Sequence, residues 1–130
     1  MRFCTAINCM DGRVQLPVIN YMKSRFQADY VDMITEPGPC LILAEGIPDD
    51  LLQSILKRID ISIDKHQSQT LAVVGHFDCA GNPVDRERQL EQIKKALSFL
   101  RQRYPRPALA GLWVDENWEV EEIAFDGPKT

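Results

Sequence analysis

The fragment NCMDGR, residues 8–13, places three reactive side chains at alternate positions: Cys9, Asp11 and Arg13. In an extended loop, side chains two positions apart point the same way. A thiolate binds soft metal ions, a carboxylate accepts hydrogen bonds from water, and a guanidinium can grip that carboxylate through two parallel N–H bonds. The fragment therefore predicts a metal ligand at Cys9 with a carboxylate–guanidinium pair beside it.

A second fragment, GHFDCAG at 75–81, supplies two further ligands, His76 and Cys79. The His-x-x-Cys spacing lets both side chains approach one ion from a single turn, and Cys9 completes a Cys₂His set. Such ligands suit Zn²⁺, and three protein ligands leave a fourth position open, as catalytic zinc sites do. Asp11 is expected either to accept a hydrogen bond from a water at that position or to occupy the position itself.

These fragments must follow strands whose ends lie side by side. Apolar runs alternate with helical stripes, which predicts right-handed crossovers and an α/β fold: a mainly parallel central sheet of four to five strands flanked by helices. If the second and third strands flank the first, both loops meet where the strand order reverses, which is the usual ligand crevice of such sheets. The predicted strands are 3–8, 30–35, 70–75, 109–114 and 118–125, and the helical stripes begin near Leu16, Asp49 and Leu90.

Length, composition and charge narrow the classes of partner. The 130 residues, 45% of them hydrophobic, predict one domain spanning 1–130. A net charge of −4 argues against nucleic acid or an anionic membrane as partner. No apolar run reaches the roughly 20 residues of a membrane span, and the N-terminal run is too short for an export signal, so we expect a cytoplasmic protein with reduced thiols.

Other polar and aromatic residues receive structural interpretations from the sequence. Asp78, inside the His-x-x-Cys turn, is expected to cap backbone N–H groups or to support the site. The run 85–95 reads as a solvated helix face with charge pairs one turn apart. Core or surface roles are expected for Cys4, Cys40, His66, Trp113 and Trp118.

With its two fragments, the chain resembles the β-class carbonic anhydrases. The family signature is a Cys-x-Asp-Ser-Arg loop followed downstream by His-x-x-Cys, and here the two stand at 9–13 and 76–79. The stretch AGLWVDENWEVEEI, 110–123, is similar to the closing strand pair of that family. The resemblance implies the family's parallel-centred sheet, usually in a dimer, and the hydration of carbon dioxide to bicarbonate by zinc hydroxide. It further implies that zinc is bound by Cys9, His76 and Cys79, with Asp11 and Arg13 as the catalytic dyad.

The sequence departs from the family pattern at three places. Cys9 comes too early for the N-terminal helical arm of typical members, Gly12 replaces the usual serine, and Glu36-Pro37-Gly38-Pro39 stands where the family tends to have Ala-Gly. An acid at that place would disfavour bicarbonate if it faced the pocket. Two alternatives stay open: a zinc hydrolase of the same fold acting on carbon disulfide or carbonyl sulfide, and a non-catalytic zinc-binding or thiol-sensing module.

The predicted macromolecular partner is a second copy of the chain. The terminal strand pair and the crevice leave apolar edges that a small domain covers by pairing. The sequence therefore predicts a homodimer.

Overall fold

The computed structural model describes residues 1–129, which form a five-stranded sheet with helices on both faces. A short 3₁₀ turn, Gly12–Val14, precedes the first helix. The elements, in chain order, are β1 (Phe3–Cys9), α1 (Gln15–Phe26), β2 (Tyr30–Glu36), α2 (Pro39–Glu45), α3 (Asp49–His66), β3 (Thr70–His76), α4 (Arg86–Arg103), β4 (Ala108–Val114) and β5 (Val120–Asp126).

The strand order is β2-β1-β3-β4-β5, and only β5 runs antiparallel to its neighbour. The predicted α/β class with a mainly parallel sheet is confirmed, and β1 lies between β2 and β3, which is the condition under which the two loops meet. The strands β1 and β2 pair over their whole length, whereas β1 and β3 pair only from Thr5–Leu71 to Ile7–Val73. Beyond those pairs the two central strands separate, which opens a crevice at their carboxyl ends.

Sequence patterns explain where each strand lies in the sheet. Every residue of β3 and β4 is buried, because central parallel strands are covered by helices on both faces. The edge strand β5 is only partly buried. The helix α1 covers one face of the sheet, and α2, α3 and α4 cover the other.

One helix is longer than the sequence suggests, since the sequence indicates at most a helical turn within a connection there. The segment PCLILAE, which reads as part of a Pro/Gly-rich connection, forms α2, with a proline at its start and Gly46 at its C-cap. Its apolar side chains pack in the core, and Cys40 is only 1% exposed. Cys4, at 1% exposure on the opposite face, is equally buried, so both thiols belong to the core as expected.

Among the helices of residues 1–129, none combines the length and the apolar character needed to cross a bilayer.

Candidate metal centre

The three predicted ligands meet in the crevice between β1 and β3. Cys9 is the last residue of β1, His76 is the last residue of β3, and Cys79 follows three residues later. The two sulfur atoms lie 3.8 Å apart, and the sulfurs and a ring nitrogen of His76 all lie within 4.8 Å of one another. All three side chains are buried, at 5% exposure or less.

The imidazole of His76 is oriented to present a bare nitrogen. Its Nδ1 lies 2.7 Å from the carbonyl oxygen of Phe77; since a carbonyl oxygen only accepts, Nδ1 carries the proton and donates. Nε2 is therefore a lone-pair acceptor, and it is buried without any hydrogen-bond partner among residues 1–129. Buried polar atoms are almost always paired, so this nitrogen is placed to bind a ligand such as a metal ion.

This donor set fits a zinc ion. Two sulfurs, each about 2.3 Å from a tetrahedral ion, lie about 3.8 Å apart, which is the separation of Cys9 and Cys79. A metal-ligating imidazole ordinarily donates its other N–H to a carbonyl or carboxylate, as His76 does to Phe77. We therefore regard Cys9, His76 and Cys79 as a candidate three-ligand metal centre.

The thiols of Cys9 and Cys79 lie within hydrogen-bonding distance of each other, and either sulfur can be the donor. Their shared hydrogen bond lowers the pKa of Cys9 and, together with burial, raises the pKa of Cys79. The pair therefore loses its first proton more easily than its second.

Asp11 and Arg13 form a clamped pair just outside the centre. Asp11 caps the 3₁₀ turn by accepting from the backbone N–H of Arg13 at 2.9 Å. The guanidinium of Arg13 donates from Nη2 to Oδ2 at 2.7 Å and from Nε to both oxygens at 3.1 and 3.2 Å. These hydrogen bonds lower the pKa of Asp11 to about 2, so the carboxylate is ionised at any physiological pH.

Two amides that the sequence analysis passed over fix the loop that carries this pair. The side chain of Asn8 donates to the carbonyl oxygen of Val14 at 3.1 Å and accepts from the N–H of Cys9 at 2.9 Å. Gln15 donates to the carbonyl oxygens of Cys9 and Asp11, each at 2.8 Å. The loop is therefore closed at both ends by side chains.

The segment 85–95, read as a solvated face, also supports the centre. Gln89 is 1% exposed; its amide donates to the carbonyl oxygen of His76 at 2.9 Å and accepts from its N–H at 3.1 Å. Gln92 is likewise buried and accepts from Asn82 at 2.6 Å, in the loop that follows Cys79. The spacing of Gln89 with Ile93, which places both on one helix face, was the signal available in the sequence.

Two loops interlock beside the centre and leave no room for side chains. A Cβ atom on Gly81 would lie 2.6 Å from the main-chain carbon of Pro37. Gly38 has a φ of +62°, and a Cβ there would lie 2.7 Å from Asn82. The Pro-Gly segment that departs from the family pattern is therefore the surface on which the His-x-x-Cys loop rests.

The acid in that segment is directed away from the crevice. Glu36 accepts a hydrogen bond from Arg58, on α3, and its side chain is largely buried in that ion pair. The concern that this acid would repel an anion in the pocket therefore does not apply, because its charge is paired on the α3 face.

Asp78 takes the second of its two expected roles, support of the candidate site, and Trp118 packs against the core as expected but from a turn and not from a strand. Asp78 bonds to Arg13 instead of capping backbone N–H groups: Nη1 donates to Oδ2 and Nη2 to the main-chain oxygen, each at 3.2 Å. Trp118 does not belong to a strand but to the turn between β4 and β5. Its ring lies 4.5 Å from the guanidinium carbon of Arg13.

The other predicted surface residue, His66, does lie at the end of α3 on the surface. Its Nδ1 is 2.7 Å from Asp32, and its ring stacks on Phe3. His66 is thus a surface residue, as expected, and is not one of the three candidate metal ligands.

Comparisons with known proteins agree with this architecture. The sequence matches the family described as "Putative carbonic anhydrase" over residues 1–124. No curated protein sequence matches the chain.

Solved structures of similar fold are carbonic anhydrases. A carbonic anhydrase from Glaciozyma antarctica is 18% identical with a TM-score of 0.60, and the match covers 93% of this chain and 81% of that one. One of two tetrameric β-carbonic anhydrases from the filamentous ascomycete Sordaria macrospora is 10% identical with a TM-score of 0.61, over 95% and 82% of the two chains. The β-carbonic anhydrase CcaA is 13% identical with a TM-score of 0.58, over 99% and 78%. The family resemblance predicted from the two fragments is confirmed.

Proposed function

The chain belongs to the family described as "Putative carbonic anhydrase", and on this premise we propose that it catalyses the reversible hydration of carbon dioxide to bicarbonate with a bound zinc ion. The observation that carries the proposal is the convergence of two sulfurs and one unpartnered imidazole nitrogen within 4.8 Å. This cluster lies beside an ionised carboxylate.

In this proposal Cys9, His76 and Cys79 hold the metal. Zn²⁺ supplies Lewis acidity, which lowers the pKa of water enough to make a nucleophile available near neutral pH. Both cysteines bind zinc as thiolates, so the protons that the pair still carries would be released on metal binding. The burial of all three ligands limits exchange of the metal with solvent.

Asp11 orients the water that attacks carbon dioxide. With its pKa lowered to about 2, the carboxylate is too weak a base to remove a proton near neutral pH, but it accepts a hydrogen bond well. Both of its oxygens already accept from Arg13, which leaves fewer lone pairs for direct metal ligation. Of the two predicted roles, we therefore assign Asp11 the hydrogen bond to water.

The test combines metal analysis with stopped-flow assays on one preparation. We expect about one zinc per chain and carbon dioxide hydration that disappears on chelation and returns with zinc. Carbon disulfide and carbonyl sulfide are assayed alongside. Zinc at that ratio with turnover of one of these sulfur compounds alone would replace carbon dioxide as the substrate, and zinc without any turnover would leave the non-catalytic module.

We also propose that the chain acts as a homodimer, in the cytoplasm, as one domain over residues 1–130. Large apolar side chains beside the metal centre support the dimer: Met10 is 61% exposed and Leu16 is 68% exposed. All four cysteines are free thiols, which suits a reducing compartment.

Light scattering tests the dimer. We expect a mass of about twice 14.8 kDa at micromolar concentration, and the monomer mass for Leu16→Glu. Ile61→Glu, on α3, is the matched control because Ile61 is also exposed. A monomeric wild-type chain would overturn the proposal.

A further inference from the structure

Arg13 is held on several sides by groups outside its own loop. Besides gripping Asp11, its guanidinium donates to the side chain and to the main-chain oxygen of Asp78, each at 3.2 Å. The ring of Trp118 covers it at 4.5 Å. These contacts come from two separate loops, one after β3 and one after β4.

Both contacting residues have an unfavourable backbone conformation. Among the described residues, four that are not glycine have a positive φ angle. Gln27 and Gln67 are C-caps of α1 and α3, where a left-handed residue is ordinary. The remaining two are Asp78, with φ 58°, and Trp118, with φ 60°, and both contact Arg13.

A bulky aromatic residue is a rare occupant of the left-handed region. The turn between β4 and β5 is organised by Asp115, whose carboxylate accepts from the N–H groups of Asn117 and Glu119 at 2.9 and 3.0 Å. Glycine or asparagine ordinarily takes the left-handed position of such a hairpin turn. The hairpin turn alone does not explain a tryptophan at 118. Its ring packs against the core cluster that contains Cys9 and Cys79, and it also lies over the guanidinium of Arg13.

We propose that Trp118 and Asp78 are positioning residues that fix the plane of the Arg13 guanidinium and, through it, the direction of the Asp11 carboxylate. The side chain of Arg13 is 44% exposed, so water competes for its hydrogen bonds. Without further contacts, the Asp11 carboxylate alone would restrain the guanidinium, and the long Arg13 side chain would keep some freedom to move. A ring on one face and a second acceptor at Nη1 remove that freedom. Only the turnover readout of this inference rests on the proposed function.

Asp78→Gly separates positioning from stability. Glycine accepts a φ of 58° without strain, so the variant should fold at least as stably as the wild type while losing the carboxylate contact. We expect exchange of the Arg13 Nε–H proton with solvent, followed by NMR on the metal-free protein, to accelerate about two- to fivefold, the range of an exposed ion pair. Gln67→Gly is the matched control: it relieves the same conformation far from the centre and should leave this exchange unchanged.

The role of Trp118 is tested with one variant that removes the aromatic ring and a second that keeps a smaller one. Trp118→Leu should accelerate the same exchange about two- to fivefold, as loss of an exposed cation–π contact implies, and Trp118→Phe should restore most of the protection. Phe125→Leu is the control, because Phe125 covers Arg25 and not Arg13. In hydration assays, Trp118→Leu should lower kcat with little change in KM.

The outcomes separate this inference from the proposed function. If neither Asp78→Gly nor Trp118→Leu changes Arg13 exchange, the positioning role is wrong, whatever the enzyme turns over. If exchange responds as expected in a wild-type chain that hydrates no carbon dioxide, the proposed function is wrong and the positioning of Arg13 stands.

Discussion

The carboxylate of Asp11 accepts hydrogen bonds from both the backbone and the guanidinium of Arg13, so its charge and direction are fixed before any substrate arrives. Asp11→Asn keeps the shape of the side chain but replaces one acceptor oxygen by an NH₂ donor. We expect kcat/KM for hydration to fall about 100-fold, the low end for loss of a group that handles a reacting water, with the zinc content unchanged. Stopped-flow assays and metal analysis on the same sample measure both quantities.

Asp50→Asn serves as the control, because Asp50 is exposed at the start of α3. Asp11→Asn with undiminished hydration would remove Asp11 from the mechanism.

The Gln89 amide holds the backbone of His76 by two hydrogen bonds. Gln89→Leu keeps the volume but leaves a buried N–H and C=O unpaired, which should lower the free energy of unfolding by about 1–3 kcal/mol. It should also weaken metal affinity about tenfold, as loss of a supporting residue commonly does. Cobalt titration and denaturant unfolding measure the two effects.

Gln102→Leu, an exposed change on the same helix, should alter neither metal affinity nor stability. Unchanged cobalt affinity in Gln89→Leu would mean that Gln89 supports the helix packing alone.

The candidate ligands were predictable because cysteine and histidine are few and their spacing has a chemical meaning. Gln89 and Gln92 were not, because the charged residues around them in DRERQLEQIKK suggested a wholly solvated face. Burial of an amide depends on what the neighbouring loop offers it, and that loop is distant in sequence. Trp118 was assigned to a strand for a similar reason, since its partner Arg13 lies more than a hundred residues away.

Among the loops, the tightest contact lies between the segment after β2 and the segment after Cys79. Gly81→Ala would place a Cβ 2.6 Å from the main chain of Pro37, which cannot move aside as a flexible side chain would. Overpacking of this kind should lower the free energy of unfolding by about 1–3 kcal/mol, measured by urea denaturation. Gly12→Ala is the matched control, because nothing lies within 4 Å of a Cβ there.

Equal stability of the Gly81→Ala and Gly12→Ala variants would show that the interlocked loops adjust freely. The Gly12→Ala variant also tests a departure from the family pattern. Because there is room for a side chain at position 12, the serine that the family usually has there should be tolerated equally well.

The central position of β3 and the partly exposed position of β5 could be predicted because the burial of a strand follows from its pattern of apolar residues. The run TLAVVG is apolar throughout, as a central strand must be, and the last strand is not. The sequence suggested only a helical turn where the whole of α2 forms, because Pro39 and Gly46, which usually mark loops, here serve as its first residue and its C-cap. Proline and glycine can either bound a helix or mark a loop that has none, and the packing of the folded chain decides which of the two forms.

For the molecule as a whole, we expect the two buried thiols, Cys4 and Cys40, to lower the free energy of unfolding at high pH. Burial raises the pKa of Cys40 from 9.0 to about 11 and that of Cys4 to about 12. Between about pH 9 and 11 the folded chain keeps protons that the unfolded chain releases, so the free energy of unfolding decreases as pH rises through that window. Below pH 9 both states are protonated and neither thiol contributes a slope.

Cys40 alone should account for about 2–3 kcal/mol of this loss. Denaturation of the zinc-loaded protein at pH 8, 9, 10 and 11 measures it, and Cys40→Ala should flatten the curve by that amount. An identical pH slope in Cys40→Ala would contradict the assignment.

The pairing of β1 with β3 ends before it reaches the candidate ligands, and this affects what a substitution of a ligand would do to the fold. The ladder between β1 and β3 stops at Ile7 and Val73, so Cys9 and His76 contribute no hydrogen bond between these two strands. We therefore expect a chain in which Cys9 or His76 is replaced to keep the pairing of β1 with β3. Such a variant should remain folded even where it no longer binds a metal.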